Sequence, residues 1–292
     1  MTRLILPAML AAAALAGQPV EPVPTPAPGT PTRRAIDPRP DIAAGRVAEF
    51  RIPSARDGRA RRVWVYTPPR YAPAAAAPYG LLVVFDGREY VEDIQLPKIL
   101  DGLLAAGKAP PLVAVLTDNA TGAARLEDLA NRARFAAFLG EELLPWVRSR
   151  WTVTRDPRRT IVTGSSAGGL AAAYVAWKRP DLFGNVLSQS GAFWRGNEGS
   201  NDSPYEWLTS QYAAAPKKDI RFVLEVGDLE SQGALGGAAP SILEANRRLR
   251  DALRKKGYDV TYTEVLNGRH SQESWRQGLP AAITRLAGSE SR

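Results

Sequence analysis

A serine flanked by glycines is the feature of this sequence with the clearest chemical potential. Residues 164–168 read Gly-Ser-Ser-Ala-Gly, which places Ser166 two residues from a glycine on each side. The apolar run Thr160–Thr163 precedes this pattern and an alanine-rich segment follows it, so a strand, a sharp turn and a helix are predicted. Such a turn exposes the serine hydroxyl, and larger side chains at the glycine positions would collide with the strand and the helix. We predict that Ser166 is a nucleophile. The alternative is a phosphate-binding turn, but no Lys-Ser or Lys-Thr pair follows the glycines.

One histidine is present to serve as the base that such a serine requires. A serine hydroxyl is weakly nucleophilic near neutral pH and needs a general base beside it. His270 is the single histidine of the chain and follows the last predicted strand. A histidine that comes after the serine and the acid matches one known order of catalytic triads. We therefore predict that His270 is the base.

Two carboxylates are candidates for the third member of the triad. Asp228 and Glu230 follow the apolar segment Phe222–Val226, and Glu225 lies within it. A carboxylate in this position orients the imidazole and stabilises its cationic form. The spacing alone leaves Asp228 and Glu230 both open.

Acyl chemistry also needs backbone N–H groups at the place where negative charge develops. Ala167 follows the predicted nucleophile directly, so its N–H is one candidate donor. The second donor is expected in the loop after the third predicted strand, where Gly87 permits a sharp turn. The N–H of Arg88 is our candidate there.

Short apolar runs and helical periodicity predict the elements that must position these residues. The predicted strands are Ala48–Ile52, Val63–Thr67, Leu81–Phe85, Leu112–Leu116, Thr160–Thr163, Asn185–Ser188, Phe222–Val226 and Val260–Glu264. The predicted helices are Leu96–Ala106, Leu129–Val147 with a kink at Pro145, Ala167–Lys178, Ser241–Lys256 with a capping box, and a last helix from after His270 to about Leu286. The alternation predicts an α/β fold with a mostly parallel, doubly wound sheet and helices on both faces. Ligands of such sheets bind at the carboxyl ends of the strands.

Composition excludes several classes of site. The chain has no cysteine, so disulfides, thiolate metal sites and a cysteine nucleophile are excluded, and one histidine excludes zinc sites that need two or three imidazoles. Composition leaves an all-carboxylate metal site open, but no motif indicates one, and we predict no metal and no cofactor. The formal net charge is +8, but the basic residues are scattered and no nucleic-acid motif is present. The predicted partner is a small molecule and not a nucleic acid.

The first residues have the pattern of an export signal. Arg3 precedes the apolar stretch Leu4–Leu15, and Ala14-Leu15-Ala16 matches an A-x-A cleavage site. The stretch is too short for a stable membrane anchor. We expect a signal peptide over residues 1–16, a Pro-rich linker over 17–45 and a single catalytic domain over 46–292. The protein is then expected to be periplasmic or secreted.

Several motifs together resemble a known family. They are GSSAGG at 164–169, DG at 86–87, RLEDL at 125–129, ELLPWV at 142–147, SQSG at 188–191, VGDLE at 226–230 and RHSQESWR at 269–276. Over roughly residues 60–286 the chain resembles the enterochelin (ferric enterobactin) esterase and esterase D-like group of α/β-hydrolases, in a short exported form. That group also includes feruloyl esterases and mycolyltransferases.

The resemblance implies roles for particular residues. It implies an α/β-hydrolase fold with Ser166 and His270 as catalytic residues. It favours Glu230 as the acid, because the family's acidic residue stands three after the glycine that Gly227 matches. Arg125 and Glu127 match a family Arg–Glu feature beside the active site, where Arg125 braces a loop or binds substrate, and we favour bracing. The family often has Gly-Gly-His-Asp around the base, whereas this chain has Gly-Arg-His-Ser at 268–271.

Serine carboxylic ester hydrolysis is therefore the leading prediction, with an enterobactin-like siderophore trilactone as one candidate substrate. Feruloyl or acetyl esters of polysaccharides, acyl transfer by the same triad and a non-catalytic binding module are the alternatives. Arg195 and Arg269 would suit an anionic or catecholate ester, and the pocket would be lined by Trp194, Tyr205, Trp207 and Trp275. The alternative for the tryptophans is packing in the core or at the rim.

Overall fold

The computed structural model describes residues 42–55, 58–119, 122–130 and 132–288. The predicted signal peptide, residues 1–16, and residues 17–41 of the predicted linker lie outside the described residues. The proposed domain boundaries therefore stay predictions. Within the described residues, no helix is both long and apolar enough to cross a membrane.

An eight-stranded sheet forms the centre of the described structure, and a two-stranded sheet stands apart from it. The strands are β1 (Arg46–Pro53), β2 (Ala60–Thr67), β3 (Gly80–Val84), β4 (Leu112–Thr117), β5 (Thr160–Ser165), β6 (Asn185–Gln189), β7 (Arg221–Gly227), β8 (Gly233–Ala234), β9 (Ala239–Ser241) and β10 (Asp259–Val265). The main sheet has the order β1-β2-β4-β3-β5-β6-β7-β10, and the small one pairs β8 with β9. In the main sheet, neighbouring strands from β4 through β10 are parallel, whereas β1 and β2 join the edge antiparallel. Each of the eight predicted strands is found in the main sheet.

Helices connect the parallel strands. They are α1 (Gly87–Glu92), α2 (Leu96–Ala105), α3 (Gly122–Leu129), α4 (Ala133–Phe138), α5 (Leu144–Arg148), α6 (Ala167–Lys178), α7 (Trp207–Ala214), α8 (Ile242–Lys255) and α9 (Gln272–Ala287). The predicted capping box of α8 is present, with Ser241 and Glu244 bonded reciprocally. The short helices α1, α3 and α7 and the small sheet β8-β9 were not predicted.

The predicted helix Leu129–Val147 is wrong as one continuous element. Helix α3 ends at Leu129, and Arg132 has an extended backbone before α4 begins. A π-helical turn, Leu139–Leu143, then separates α4 from α5. Pro145 lacks an N–H and its ring crowds the preceding turn, which accounts for the wider turn immediately before it. The larger apolar residues of this segment are buried on the separate short helices and the turn between them: Leu129, Phe135, Phe138, Leu139, Leu143 and Val147.

The sheet has an apolar cluster on each face. Side chains of alternate residues in β3 divide between the faces: Leu81 and Val83 belong to one cluster, Leu82 and Val84 to the other. Helices α4, α6 and α8 contribute to the first cluster, and α1, α2 and α9 to the second. Because every residue of β3 is buried, this strand reads as a continuous apolar run. Because β3, β5, β6, β7 and β10 are parallel, the loops that follow them share one edge of the sheet, where the candidate site lies.

Candidate active site

Ser166 occupies a strained turn between β5 and α6. Its backbone has φ 56° and ψ −118°, outside the ordinary regions for a non-glycine residue. The Ser166 N–H donates to the Gln189 carbonyl at 2.9 Å, and the Ala192 N–H donates to the Ser166 carbonyl at 2.9 Å. A Cβ placed on Gly164 would lie 2.7 Å from the carbonyl carbon of Gly168, so the close crossing of strand and helix requires a glycine. The turn therefore holds the serine at the carboxyl end of a central strand.

His270 and Glu230 meet across two neighbouring loops. The distance from His270 Nδ1 to Glu230 Oε2 is 2.6 Å. The histidine side chain is 38% exposed, whereas that of Glu230 is 4% exposed. Two backbone hydrogen bonds join the loops, from Asp228 N to Val265 O at 3.1 Å and from Leu229 N to Gly268 O at 3.2 Å. A carboxylate on Nδ1 keeps the proton there and leaves Nε2 free to act as a base.

The other oxygen of Glu230 has two donors. Gly227 N donates to Oε1 at 2.9 Å, and Ser190 Oγ donates to it at 2.6 Å. Ser190 in turn accepts from Trp275 Nε1 at 2.9 Å. The Trp275 ring also packs edge-to-face against His270, with centroids 5.1 Å apart. Glu230 is thus held by three hydrogen bonds, one of them to the histidine.

The remaining acidic candidates are placed differently. Asp228 Oδ1 is buried and has no hydrogen-bond partner among the described residues. Glu225 accepts from Gln189 Nε2 at 2.8 Å and lies against Gly278 of α9, where an added Cβ would be 2.4 Å from the carboxylate. Burial raises the pKa of Glu225, and the hydrogen bond from Gln189 opposes that shift. In the structure, Glu230 is the carboxylate that reaches the histidine.

Two helices begin beside the serine, and both predicted N–H donors lie in their first turns. Ala167 is the first residue of α6, and Arg88 is the second residue of α1. The first N–H groups of a helix have no acceptor within it and carry the positive end of the helix dipole. Asp86, with φ 53°, turns the chain from β3 into α1. The side chain of Arg88 points elsewhere and pairs with Glu92 at 3.6 Å.

Arg125 links the loop after β3 to the strand that carries the serine. Its guanidinium binds both oxygens of Asp86, at 2.7 and 2.6 Å, and its Nη2 lies 3.4 Å from the Ser165 carbonyl. Burial lowers the pKa of Arg125, but the hydrogen bonds to Asp86 and the negative charges of Asp86 and Glu89 together outweigh it, so the pKa is raised. Glu127, its partner in the family pattern, pairs instead with Arg134 at 3.1 Å. These contacts are those expected of a loop brace.

The other residues predicted to bind substrate lie at different depths. Trp194 and Trp275 are each only 7% exposed. This burial agrees with the alternative that the two side chains pack in the core or at the rim. The Trp275 N–H is also already occupied by Ser190. Arg269 is exposed beside His270, and its backbone N–H donates to Ser274 Oγ at 3.0 Å. Among the described residues, no group of three or more His, Asp or Glu side chains is arranged to hold a metal ion.

Comparison with known proteins agrees with this geometry. The family profile described as "Putative esterase" matches residues 54–286. The chain belongs to this esterase family. Iron(III) enterobactin esterase of Dickeya dadantii is 34% identical over 233 residues, which cover 75% of this chain and 50% of that protein. The protein of the same name from Escherichia coli K12 is 31% identical over 233 residues, covering 80% and 55%.

Solved structures of similar proteins place this chain among the α/β-hydrolases. The crystal structure of the Shigella flexneri enterobactin esterase in the presence of enterobactin superposes with a TM-score of 0.72 at 29% identity, covering 85% of this chain and 60% of that one. A ferulic acid esterase, at 16% identity and a TM-score of 0.69, shares the fold. The predicted fold and family resemblance are therefore confirmed. The chain spans about half the length of the curated relatives it matches.

The sequence patterns did not predict two groups beside the site. Ser190 was within the SQSG motif, but its contact with Glu230 was not predicted. Asn119 Oδ1 accepts the Asp86 N–H at 3.0 Å and so fixes the start of α1. Both Ser190 and Asn119 are buried polar residues just after a buried strand. A polar residue at the carboxyl end of an apolar strand was the available signal for each.

Proposed function

We propose that this esterase hydrolyses carboxylic esters with Ser166 as nucleophile, His270 as general base and Glu230 as the acid. The observation that carries the proposal is the 2.6 Å contact between His270 Nδ1 and Glu230 Oε2. Its support is the strained turn at Ser166, which presents a hydroxyl at the same edge of the sheet.

The proposed reaction has two half-steps. His270 Nε2 takes the proton from Ser166 Oγ as Oγ bonds to the carbonyl carbon, and the N–H groups of Ala167 and Arg88 stabilise the oxyanion. The tetrahedral intermediate collapses, the C–O bond to the alcohol breaks, and His270 returns the proton to the leaving oxygen. Water then repeats the sequence on the acyl-enzyme and releases the acid and free Ser166.

Turnover and covalent labelling together test this proposal. We expect the protein to hydrolyse p-nitrophenyl butyrate and to lose that activity as a fluorophosphonate probe reacts. Peptide mass spectrometry should then find the probe on Ser166. Hydrolysis that continues in fully labelled protein, or a probe on another serine, would contradict the assignment.

We propose that the natural substrate is an anionic ester of the catecholate siderophore class, which the names of the relatives suggest. Arg195 supports this choice because its partners are neutral: the Gly199 carbonyl at 2.9 Å and Asn201 Oδ1 at 2.7 Å. Burial lowers the pKa of Arg195, and the charge of Arg125 adds to that effect. The segment that carries Arg195 bonds to the Ser166 carbonyl through Ala192 N. An anionic group of the substrate would compensate this half-buried cation.

Neutralising this cation is expected to act on anionic substrates selectively. In Arg195→Gln, kcat/KM for an ester with a carboxylate on its acyl chain should fall roughly 3- to 10-fold more than kcat/KM for p-nitrophenyl butyrate. The reason is that an ion pair between the half-buried Arg195 and the substrate carboxylate contributes about 1 kcal/mol. Arg195→Lys should retain the preference. Arg158→Gln is the matched control, since Arg158 is 74% exposed and precedes β5 at the opposite end of the sheet. Equal losses for the two esters would refute the substrate class.

Export is part of the same proposal and rests on the apolar stretch and cleavage pattern in residues 1–16. Sequencing the amino terminus of the exported protein should find it near Gly17.

A further inference from the structure

The Ser190 hydroxyl lies between the proposed catalytic acid and an indole. It is 2.6 Å from Glu230 Oε1 and 2.9 Å from Trp275 Nε1. All three residues are buried: the exposed fraction of the whole residue is 2% for Ser190, 8% for Glu230 and 7% for Trp275. The mechanism proposed above uses neither Ser190 nor Trp275, yet their contacts connect both Glu230 and His270 to the core.

The chemistry of these groups determines the direction of the hydrogen bonds. An indole N–H only donates, whereas a hydroxyl donates one hydrogen and accepts others. Because Ser190 Oγ accepts from Trp275, its single hydrogen is available for Glu230. Oε1 therefore has two donors, Ser190 Oγ and Gly227 N, and Oε2 remains for His270. The carboxylate cannot rotate without breaking these bonds.

The backbone of Ser190 is itself strained. Its φ is 48°, in the left-handed region where glycine is the unstrained residue. Its N–H donates to the Glu225 carbonyl at 2.7 Å, which fixes the residue at the end of β6. A glycine would satisfy this backbone but would leave Glu230 without one donor and Trp275 without its acceptor. The hydroxyl gives a physical reason for serine here.

We propose that Ser190 and Trp275 are positioning residues that hold Glu230 and thereby fix the proton of neutral His270 on Nδ1. The role in catalysis rests on the function proposed above, whereas the effect on the imidazole does not. Trp275 acts twice, through its N–H on Ser190 and through the edge-to-face contact of its ring with His270.

The single histidine makes the proposal directly measurable, because the ¹⁵N shifts of one imidazole report its tautomer. At a pH where the ring is neutral, the full chain should have its proton on Nδ1. Ser190→Ala and Ser190→Gly should both give a mixture of tautomers. Trp275→Phe keeps a ring against His270 and removes the N–H, so it should change the shifts in the same direction by less.

Trp177→Phe is the matched control for the indole. Trp177 Nε1 is buried and has no hydrogen-bond partner among the described residues, so its removal should leave the shifts of His270 unchanged. Ser190→Gly is the control for strain: it relaxes the backbone and still lacks the hydroxyl. If only Ser190→Ala were altered and Ser190→Gly behaved as wild type, backbone strain would be the cause and the proposal would be overturned.

Kinetics provide the second measurement. Both Ser190 variants should lower kcat for p-nitrophenyl butyrate roughly 10- to 100-fold with KM changed less than about twofold, since one charge-assisted hydrogen bond is lost and no substrate contact. Wild-type tautomer and rate in both Ser190 variants would overturn the positioning role. If the wild-type protein hydrolysed no ester but the Ser190 variants still had an altered tautomer, the proposed function would be rejected and the positioning role would stand.

Discussion

Ser166→Ala is expected to lower kcat/KM for p-nitrophenyl butyrate by roughly 10⁴-fold or more. The substitution removes the only oxygen that the proposed mechanism bonds to the carbonyl carbon. Alanine adds no bulk to the turn, and the backbone bonds of residue 166 to Gln189 and Ala192 do not involve the side chain. The loss should therefore be in kcat, with the fold retained. Initial rates and thermal unfolding of both proteins provide the measurement.

The neighbouring serine is the matched control for this experiment. Ser165 is the last residue of β5 and is only 1% exposed, so a substrate has no access to its hydroxyl. Ser165→Ala should keep kcat/KM within a few-fold of wild type, as expected for a change that touches no reacting atom. If Ser166→Ala retained wild-type activity, another nucleophile would be required and the central assignment would be wrong.

Glu230→Gln is expected to lower kcat roughly 10³- to 10⁴-fold, which is the size of the loss when the histidine of a triad takes the wrong tautomer. The structure gives the reason. Ser190 Oγ and Gly227 N both donate to one side of the residue-230 side chain, so the amide oxygen of glutamine should take that side. The NH₂ group would then face His270 Nδ1 and donate to it. The imidazole would carry its proton on Nε2, where a base is needed.

Asp228→Asn tests the other carboxylate, because the spacing in the sequence left Asp228 and Glu230 both open as the acid of the triad. Asp228 is two residues away in the same loop, and its Oδ1 has no hydrogen-bond partner among the described residues. We expect Asp228→Asn to keep kcat within a few-fold of wild type, since it leaves the pair of Glu230 and His270 intact. The reverse pattern, with a large loss in Asp228→Asn and a small one in Glu230→Gln, would transfer the role of the acid to Asp228. Rates on p-nitrophenyl butyrate distinguish these outcomes.

Local patterns in the sequence predicted the elements whose causes are themselves local. The turn from β5 into α6 was predicted because Gly164 and Gly168 permit a crossing that side chains would block. The capping box at Ser241 fixed the start of α8. The long helix through Pro145 was wrong because apolar periodicity is also satisfied by short helices that bury the same face. Helix α1 was missed because its six residues carry too little pattern.

The sequence by itself determined the fold class, the candidate nucleophile and the candidate base. Ser166 has a local signature, and His270 is the single histidine, so neither needed coordinates to be proposed. The family resemblance favoured Glu230 over Asp228, but only the tertiary structure shows which carboxylate meets the histidine, because that contact depends on two loops paired through Asp228 N and Val265 O. Tertiary structure also decided that the Trp275 indole binds Ser190, 85 residues away in sequence, and is not free to bind substrate. Contacts between segments distant in the chain have no local pattern, because strand order and loop pairing create them.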